Sequence, residues 1–185
     1  MPKFEVQDEY LELIDNPDKV NNTYDFLIAL CQKGFKNLNL KRGSEEHKKY
    51  TDRIYYELDI LKELGFVDYI LLVWKVIHFC NTSDIPVGLG RGSAAGSFVL
   101  YLLGVTKIDS VKYDLFFERF VSKIRAKKKV VDGVTYLDGS LMCDIDMDVC
   151  YYKRKNVLKY LEEEFKGKTS KIRTLNTLSG KLVMK

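Results

Sequence analysis

At 185 residues, 46% of them hydrophobic and with 10 Phe and 12 Tyr, the chain can bury a substantial core as one domain, or one domain with an extension. Its longest apolar candidates, "YILLVW" and "FVLYLL", fall well short of the ~18 residues of a membrane span, and the start lacks the basic and apolar regions of a signal peptide. The net charge of +4 permits a nucleic-acid partner without demanding one, and Cys31, Cys80, Cys143 and Cys150, scattered with no CxxC pair, argue against zinc and for reduced thiols in a cytoplasmic protein.

Residues 1–18 carry six acids against Lys3 and read as a solvated, acidic lead-in. A helical segment follows over 19–84. "DKVNNTYDFLIALCQKGF" predicts a helix with Gly34 as its stop. Ser44 is a candidate N-cap, with Glu45 and Glu46 in the first turn of a helix that repeats Tyr50, Ile54, Leu58, Leu61 and Leu64 and stops at Gly65. "DYILLVWKVIHFC" predicts a buried helix. Over 85–170 the pattern turns mixed: "IPVGL" as a short strand, "SAAGSFVLYLLG" as a helix starting near Ser93, and "SVKYDLFFERF" as a short helix. "KKKVVDGVTYLDG" then predicts a hairpin around Asp-Gly, "SLMCDIDMDVC" a strand, and "KRKNVLKYLEEEF" a helix ending near Gly167.

Two stretches carry the chemistry. In "VGLGRGSAAGS" Gly88, Gly90 and Gly92 surround Arg91 and precede Ser93 and Ser97. The loop has no lysine, so it is not a P-loop. "GRGSAA" loosely fits a dinucleotide-binding fingerprint, but "KIDSVKYD" does not supply the second strand and acid that such a fold needs. A tight turn with close helix packing is the plain structural alternative. The anion reading rests on backbone amides left open by glycine, the N-terminus of the expected helix, two hydroxyls and the guanidinium fork of Arg91. In "CDIDMDV" Asp144, Asp146 and Asp148 alternate with Ile145, Met147 and Val149, so a strand places the carboxylates on one face. An edge strand with a charged face is the plain alternative. An EF-hand is excluded, since its obligatory Gly and Glu are replaced by Val149 and Lys155. Same-face carboxylates otherwise suit Mg²⁺, and two ions about 4 Å apart serve in-line phosphoryl transfer. A phosphate cradle and paired aspartates together suggest nucleotidyl transfer.

These stretches, with "GVTKIDSVKYDLFFERF", "YYELDILKELGFVDYILLVWKVI" and "KIRTLNTLSGKLVMK", closely resemble the C family of DNA polymerases, that of the alpha subunit of bacterial DNA polymerase III, from about residue 20 to residue 185. The resemblance implies an α+β fold: a nucleotidyltransferase-like, polymerase beta-type palm with a small mixed sheet flanked by helices, preceded by the helical segment. It places that palm over 85–170 and the start of a thumb over 171–185. It implies a DNA-directed DNA polymerase that joins a deoxynucleoside triphosphate to a primer 3′-hydroxyl on primer-template DNA, with two Mg²⁺ ions for which Mn²⁺ substitutes. By the resemblance Gly92 and Ser93 bind the triphosphate, with Gly90, Arg91 and Ser97 in the same loop and Arg119 of "FERF" near the nucleotide or primer. Asp144 and Asp146 match the first two metal-binding catalytic aspartates, and Asp148 is a supporting residue. Leu89 and Cys143 stand where the family usually has prolines. The run "KIRAKKKVVDGVTYLDG" is longer than the family's usual link between "FERF" and the acidic stretch, and its Lys123, Arg125, Lys127, Lys128 and Lys129 suit DNA phosphates or a merely solvated hairpin. The family's third aspartate lies further on, so the expectation is that this chain works with the remainder of a longer chain or a second polymerase polypeptide. A non-catalytic module binding DNA, nucleotide or a replisome protein is the alternative.

Overall fold

The computed structural model describes residues 3–121, 128–131, 134–137 and 143–170. The chain divides into two compact units, one ending at Tyr151 and the other starting at Tyr152.

The first unit is built on α2 (Thr23–Lys36), α3 (Glu45–Glu63), α4 (Val67–Thr82) and the short α5 (Phe98–Leu102), after a single turn of helix, α1 (Asp8–Leu11). Local signals fix their ends. Asn22 caps α2 by accepting from the Asp25 amide at 3.0 Å, and Ser44 caps α3 by accepting from the His47 amide at 3.0 Å. Helix α3 ends in a Schellman turn: Gly65 has φ 71°, and the Phe66 amide reaches back to the Leu61 carbonyl at 2.9 Å. Helix α4 is apolar nearly all round and is buried accordingly, from Val67 through Ile70, Leu71 and Trp74 to Cys80. Helix α2 packs on α4 and α5, and α3 packs on α5. Phe26, Leu27, Leu61, Ile70, Leu71, Ile77, Phe98 and Leu100 form the interior of this layer.

Several expectations are corrected. Gly34 does not stop α2, which runs on to Lys36. The glycine is there for contact, because a Cβ at that position would lie 2.2 Å from the Leu102 carbonyl oxygen of α5. The acidic lead-in is not simply solvated. Phe4, Tyr10 and Ile14 are buried, and Phe4 and Tyr10 join Phe26, Trp74 and His78 in an aromatic cluster, with the Tyr10 and Trp74 ring centroids 5.2 Å apart. The acids of this segment face outward, and Asp15 pairs with Lys36. The helix expected from Ser93 is instead a 3₁₀ turn over Gly92–Gly96, with α5 starting only after Ser97. "SVKYDLFFERF" forms turns, with Asp114 at φ 49° and a 3₁₀ turn over Phe117–Arg119.

The fold class itself is corrected. A palm with a small mixed sheet flanked by helices is not what the described residues form. Their regular strands are β1 (Lys128–Val131) and β2 (Val134–Leu137), an antiparallel pair with Lys128 opposite Leu137 and Val131 opposite Val134. That pairing agrees with the hairpin expected around Asp-Gly. The "IPVGL" and "CDIDMDV" segments form no regular strand and meet in one isolated antiparallel bridge, Val87 opposite Val149. The physical reasons are local. Pro86 has no amide to donate, Gly88 adds no side chain to a ladder, and aspartate at alternate positions disfavours strand pairing. The result, among the described residues, is a helical body beside one short hairpin, with the loop and the acidic segment joined by a single bridge.

In the second unit, α6 spans Arg154–Glu164. The Phe165 amide closes its last turn on the Leu161 carbonyl, and Gly167 follows at φ 74°, where the sequence places the stop.

Candidate functional site: a glycine loop against an acidic segment

The backbone brings the two chemical stretches together. The Gly88 amide donates to the Asp148 carbonyl at 2.8 Å, and the Cys150 amide donates to the Pro86 carbonyl at 3.0 Å. Gly88 permits that approach, since a Cβ there would lie 2.9 Å from the Asp148 Cβ. Gly90 has φ 100° and lies against Thr106, whose Cβ would be 2.9 Å from an added Cβ. Next to it the Lys107 amide closes on the Leu89 carbonyl at 2.8 Å. Gly92, at φ 66°, opens the 3₁₀ turn and faces Asp146, whose Oδ2 would be 3.7 Å from an added Cβ. Two of these glycines therefore hold left-handed backbone, and the third holds a close contact.

Arg91 lies between the acids. Its Nη2 is 3.1 Å from Asp146 Oδ1 and its Nε 3.5 Å from Asp148 Oδ1, and all three side chains are largely exposed. Asp144 is exposed on the same segment, while Ile145 and Met147 pack against the core, so the alternation expected of this stretch survives without a regular strand. Tyr69 of α4 lies beside this segment. Burial pushes its hydroxyl up to about 12, with Cys143 and Asp144 adding to the shift and the Ile145 amide opposing it. Burial likewise pushes the Cys143 thiol up to about 12. Ser93 is half-buried and Gly92 exposed, at the open side of the turn. Arg119 is exposed, on a turn that packs against Gly92–Gly96. Gly96 makes that packing possible, because a Cβ there would meet the Phe116 carbonyl oxygen at 2.7 Å.

Ser97 is placed elsewhere. It is fully buried, its hydroxyl donates to Glu57 Oε2 at 2.8 Å, and its oxygen accepts from the Leu100 amide at 3.3 Å. Of the basic run, Lys123, Arg125 and Lys127 lie outside the described residues, and Lys128 and Lys129 sit on β1 opposite Leu137 and Tyr136. Among the described residues no group of three or more His, Cys, Asp or Glu is placed to hold a metal ion. The donor set nonetheless fits Mg²⁺, which takes hard oxygen ligands and typically one or two protein carboxylates, leaving its other positions to water and phosphate. Asp144 and Asp146 supply that number.

Two residues behind the loop escape the motif reading. Arg53 of α3 donates through Nη2 to the Gly96 carbonyl at 2.7 Å and to the Leu115 carbonyl at 2.8 Å, and through Nε to Glu57 Oε1 at 2.6 Å. Glu57 is wholly buried, and its carboxylate also accepts from the Phe98 amide at 2.9 Å and the Val99 amide at 3.0 Å. Burial pushes the Glu57 carboxyl up, while the two amides and Arg53 oppose the shift. The amides and the guanidinium can only donate, so the ionised form is the one this geometry satisfies. The sequence does carry a signal for the pair. Arg53 and Glu57 fall three and seven residues after Tyr50, on the apolar face of α3, where an Arg and a Glu are out of place.

Comparison with known proteins adds the family. The model described as the bacterial DNA polymerase III alpha NTPase domain matches residues 25–185. DNA polymerase III subunit alpha of Borreliella burgdorferi is 37% identical over 170 residues, which cover 91% of this chain and 13% of that protein. The subunit of Aquifex aeolicus is 33% identical over 100% of this chain and 14% of its own length, and that of Ureaplasma parvum is 39% identical over 80% and 14%. The chain thus spans about one seventh of the relatives it matches. No described helix is long and apolar enough to cross a membrane. Matched over most of its length, with its glycine loop and acidic segment in contact, the chain belongs to the bacterial DNA polymerase III alpha family.

Proposed function

We propose that this chain is the nucleotide- and metal-handling segment of a replicative DNA-directed DNA polymerase. The observation that carries the reading is the contact of the glycine loop with the acidic segment, through the Gly88–Asp148 backbone bond and the Arg91–Asp146 pair at 3.1 Å. In the reaction a primer 3′-hydroxyl oxygen bonds to the α-phosphorus of a deoxynucleoside triphosphate, the bond to pyrophosphate breaks, and the hydroxyl proton leaves. The open amides around Gly92 and the Ser93 hydroxyl are suited to phosphate oxygens. Asp144 and Asp146 would hold Mg²⁺, which when bound acidifies the attacking hydroxyl and neutralises phosphate charge. Arg91 has two roles in this scheme. Before loading, it compensates Asp146 and Asp148. An exposed pair of this kind is worth about 0–1 kcal/mol, so the guanidinium exchanges a carboxylate for a phosphate oxygen at little cost. In this reading Arg119 contacts the nucleotide or primer, and Lys123, Arg125, Lys127, Lys128 and Lys129 meet phosphates of primer-template DNA. Its setting is the cytoplasm, and the remainder of a longer polymerase, or a second polypeptide, completes the active centre.

The test is binding, followed by extension. Titration of Mn²⁺ with a deoxynucleoside triphosphate is expected to show a coupled site that weakens in Asp144→Asn with Asp146→Asn, and in Gly92→Val. Unchanged binding in both variants refutes the assignment. A second reading, a non-catalytic binding module, draws on the lack of a three-ligand cluster among the described residues. Primer extension by this chain joined to the rest of such a polymerase separates the two, since only the first reading requires Asp144 and Asp146 for extension.

A further inference from the structure

We propose that Arg53 and Glu57 are the positioning pair of the glycine turn, holding Gly92–Gly96 in the conformation that receives phosphate without touching the nucleotide. The inference rests on the nucleotide reading above. Its observation is the set of bonds the pair makes. Arg53 holds the Gly96 and Leu115 carbonyls, so it ties the end of the glycine turn to the chain leading into the Arg119 turn. Glu57 takes the Ser97 hydroxyl and the Phe98 and Val99 amides, so it fixes the first turn of α5. Both residues stand on α3, a helix of 19 residues with defined caps at both ends, which makes a rigid mount.

Stability alone is a poor account of this pair. A buried ion pair replaced whole by well-packed apolar residues often costs nothing or gains stability. What apolar residues cannot do is grip two carbonyls on one side and two amides on the other. The pair also dictates where a phosphate can go. The Phe98 and Val99 amides at the start of α5 are taken by Glu57, so the amides left for an anion lie earlier, in the turn that begins at Gly92. A displacement of about 1 Å in such a turn is enough to spoil ligand geometry.

The experiment compares the parent 185-residue chain with Glu57→Gln and Arg53→Lys. Glutamine keeps the shape, but its amide nitrogen cannot accept from a backbone amide. Three readouts are taken: affinity for Mn²⁺ alone, affinity for deoxyadenosine triphosphate with Mn²⁺, and amide hydrogen exchange resolved by residue. Glu57→Gln is expected to weaken triphosphate binding by about tenfold, leave Mn²⁺ affinity within about twofold, and speed exchange from Ala94 to Val99 while α2 stays protected. Arg53→Lys is expected to lose less, because an ammonium can still reach a carbonyl. Equal loss of Mn²⁺ and triphosphate affinity, or exchange raised evenly across the chain, overturns the proposal in favour of general destabilisation. Unchanged triphosphate affinity overturns it as well. If the parent chain binds no triphosphate, the nucleotide reading fails. Localised exchange in Glu57→Gln then shows a clamp of purely structural purpose.

Discussion

Replacing Gly88 by alanine tests the contact on which the site depends. The added Cβ would lie 2.9 Å from the Asp148 Cβ, against 3.4 Å for ordinary contact. Both atoms are Cβ, so no rotamer relieves the overlap, and the two backbones must part by about half an ångström. That movement stretches the bonds from the Gly88 and Cys150 amides, now 2.8 and 3.0 Å, toward the limit of hydrogen bonding. Overpacking costs about 1–3 kcal/mol, and loss of unfolded-state freedom on Gly→Ala returns about 0.4–1 kcal/mol. The net expectation is a loss of about 1–2 kcal/mol, or a Tm lower by about 3–6 °C for a chain of this size. Binding should suffer more than this, because Arg91 and the turn at Gly92 shift away from Asp146. The assay pairs thermal melting with titration of Mn²⁺ and a deoxynucleoside triphosphate. Gly104→Ala is the control: its Cβ would meet nothing within 4 Å, so it carries only the backbone strain of φ 72°, and its nucleotide binding should match the parent. A Gly88→Ala chain with unchanged Tm and unchanged affinity would refute the argument.

Gly34→Ala should destabilise by about 2 kcal/mol although it raises helix propensity, because the backbone of Leu102 cannot yield; a melting temperature at or above the parent's would show that α2 and α5 can separate freely. Burial raises Tyr69 and Cys143 to about 12, so the fold favours their neutral forms. Their contribution is complete below the ordinary thiol and phenol range and is lost as pH rises toward 12; melting temperature should fall over that window, and a flat profile contradicts the assignment. At pH ~8 a thiol alkylator should modify half-buried Cys150 well before buried Cys31, Cys80 and Cys143, as peptide mass spectrometry would show. Early modification of Cys143 would mean that the acidic segment opens readily.

The parts of the fold that were legible in the sequence are those with local causes. Ser44 and Gly65 bound α3 through a hydroxyl and a left-handed turn, both written into the residue types. The apolar run of "DYILLVWKVIHFC" leaves α4 nowhere to go but the interior. The misreadings have two causes: contact between distant segments at the glycines, and local composition at the expected strands. Gly34 looks like a stop but answers to Leu102, and Gly96 answers to the Phe116 carbonyl, while the expected helix breaks at the extended backbone of Ser97. The short runs "IPVGL" and "CDIDMDV" read as strands because their side chains alternate. A strand also needs a partner with free amides in register, and Pro86 and the aspartates leave only the Val87–Val149 bridge.

The same contrast holds for the candidate site. Glycines, an arginine and alternating aspartates point to an anion and a cation as ligands, beside the plain readings of a tight turn and a charged edge. What they do not reveal is which groups are already engaged. Ser97 reads as a phosphate donor in the sequence and is a buried cap in the fold, because Glu57, forty residues earlier, takes its proton donor. The helix N-terminus expected to take an anion already has one, the Glu57 carboxylate itself. The physical logic of an anion at a helix start was sound, but its occupant is a side chain of the protein. The loop amides ahead of α5, rather than the helix end, are therefore where the nucleotide reading stands or falls.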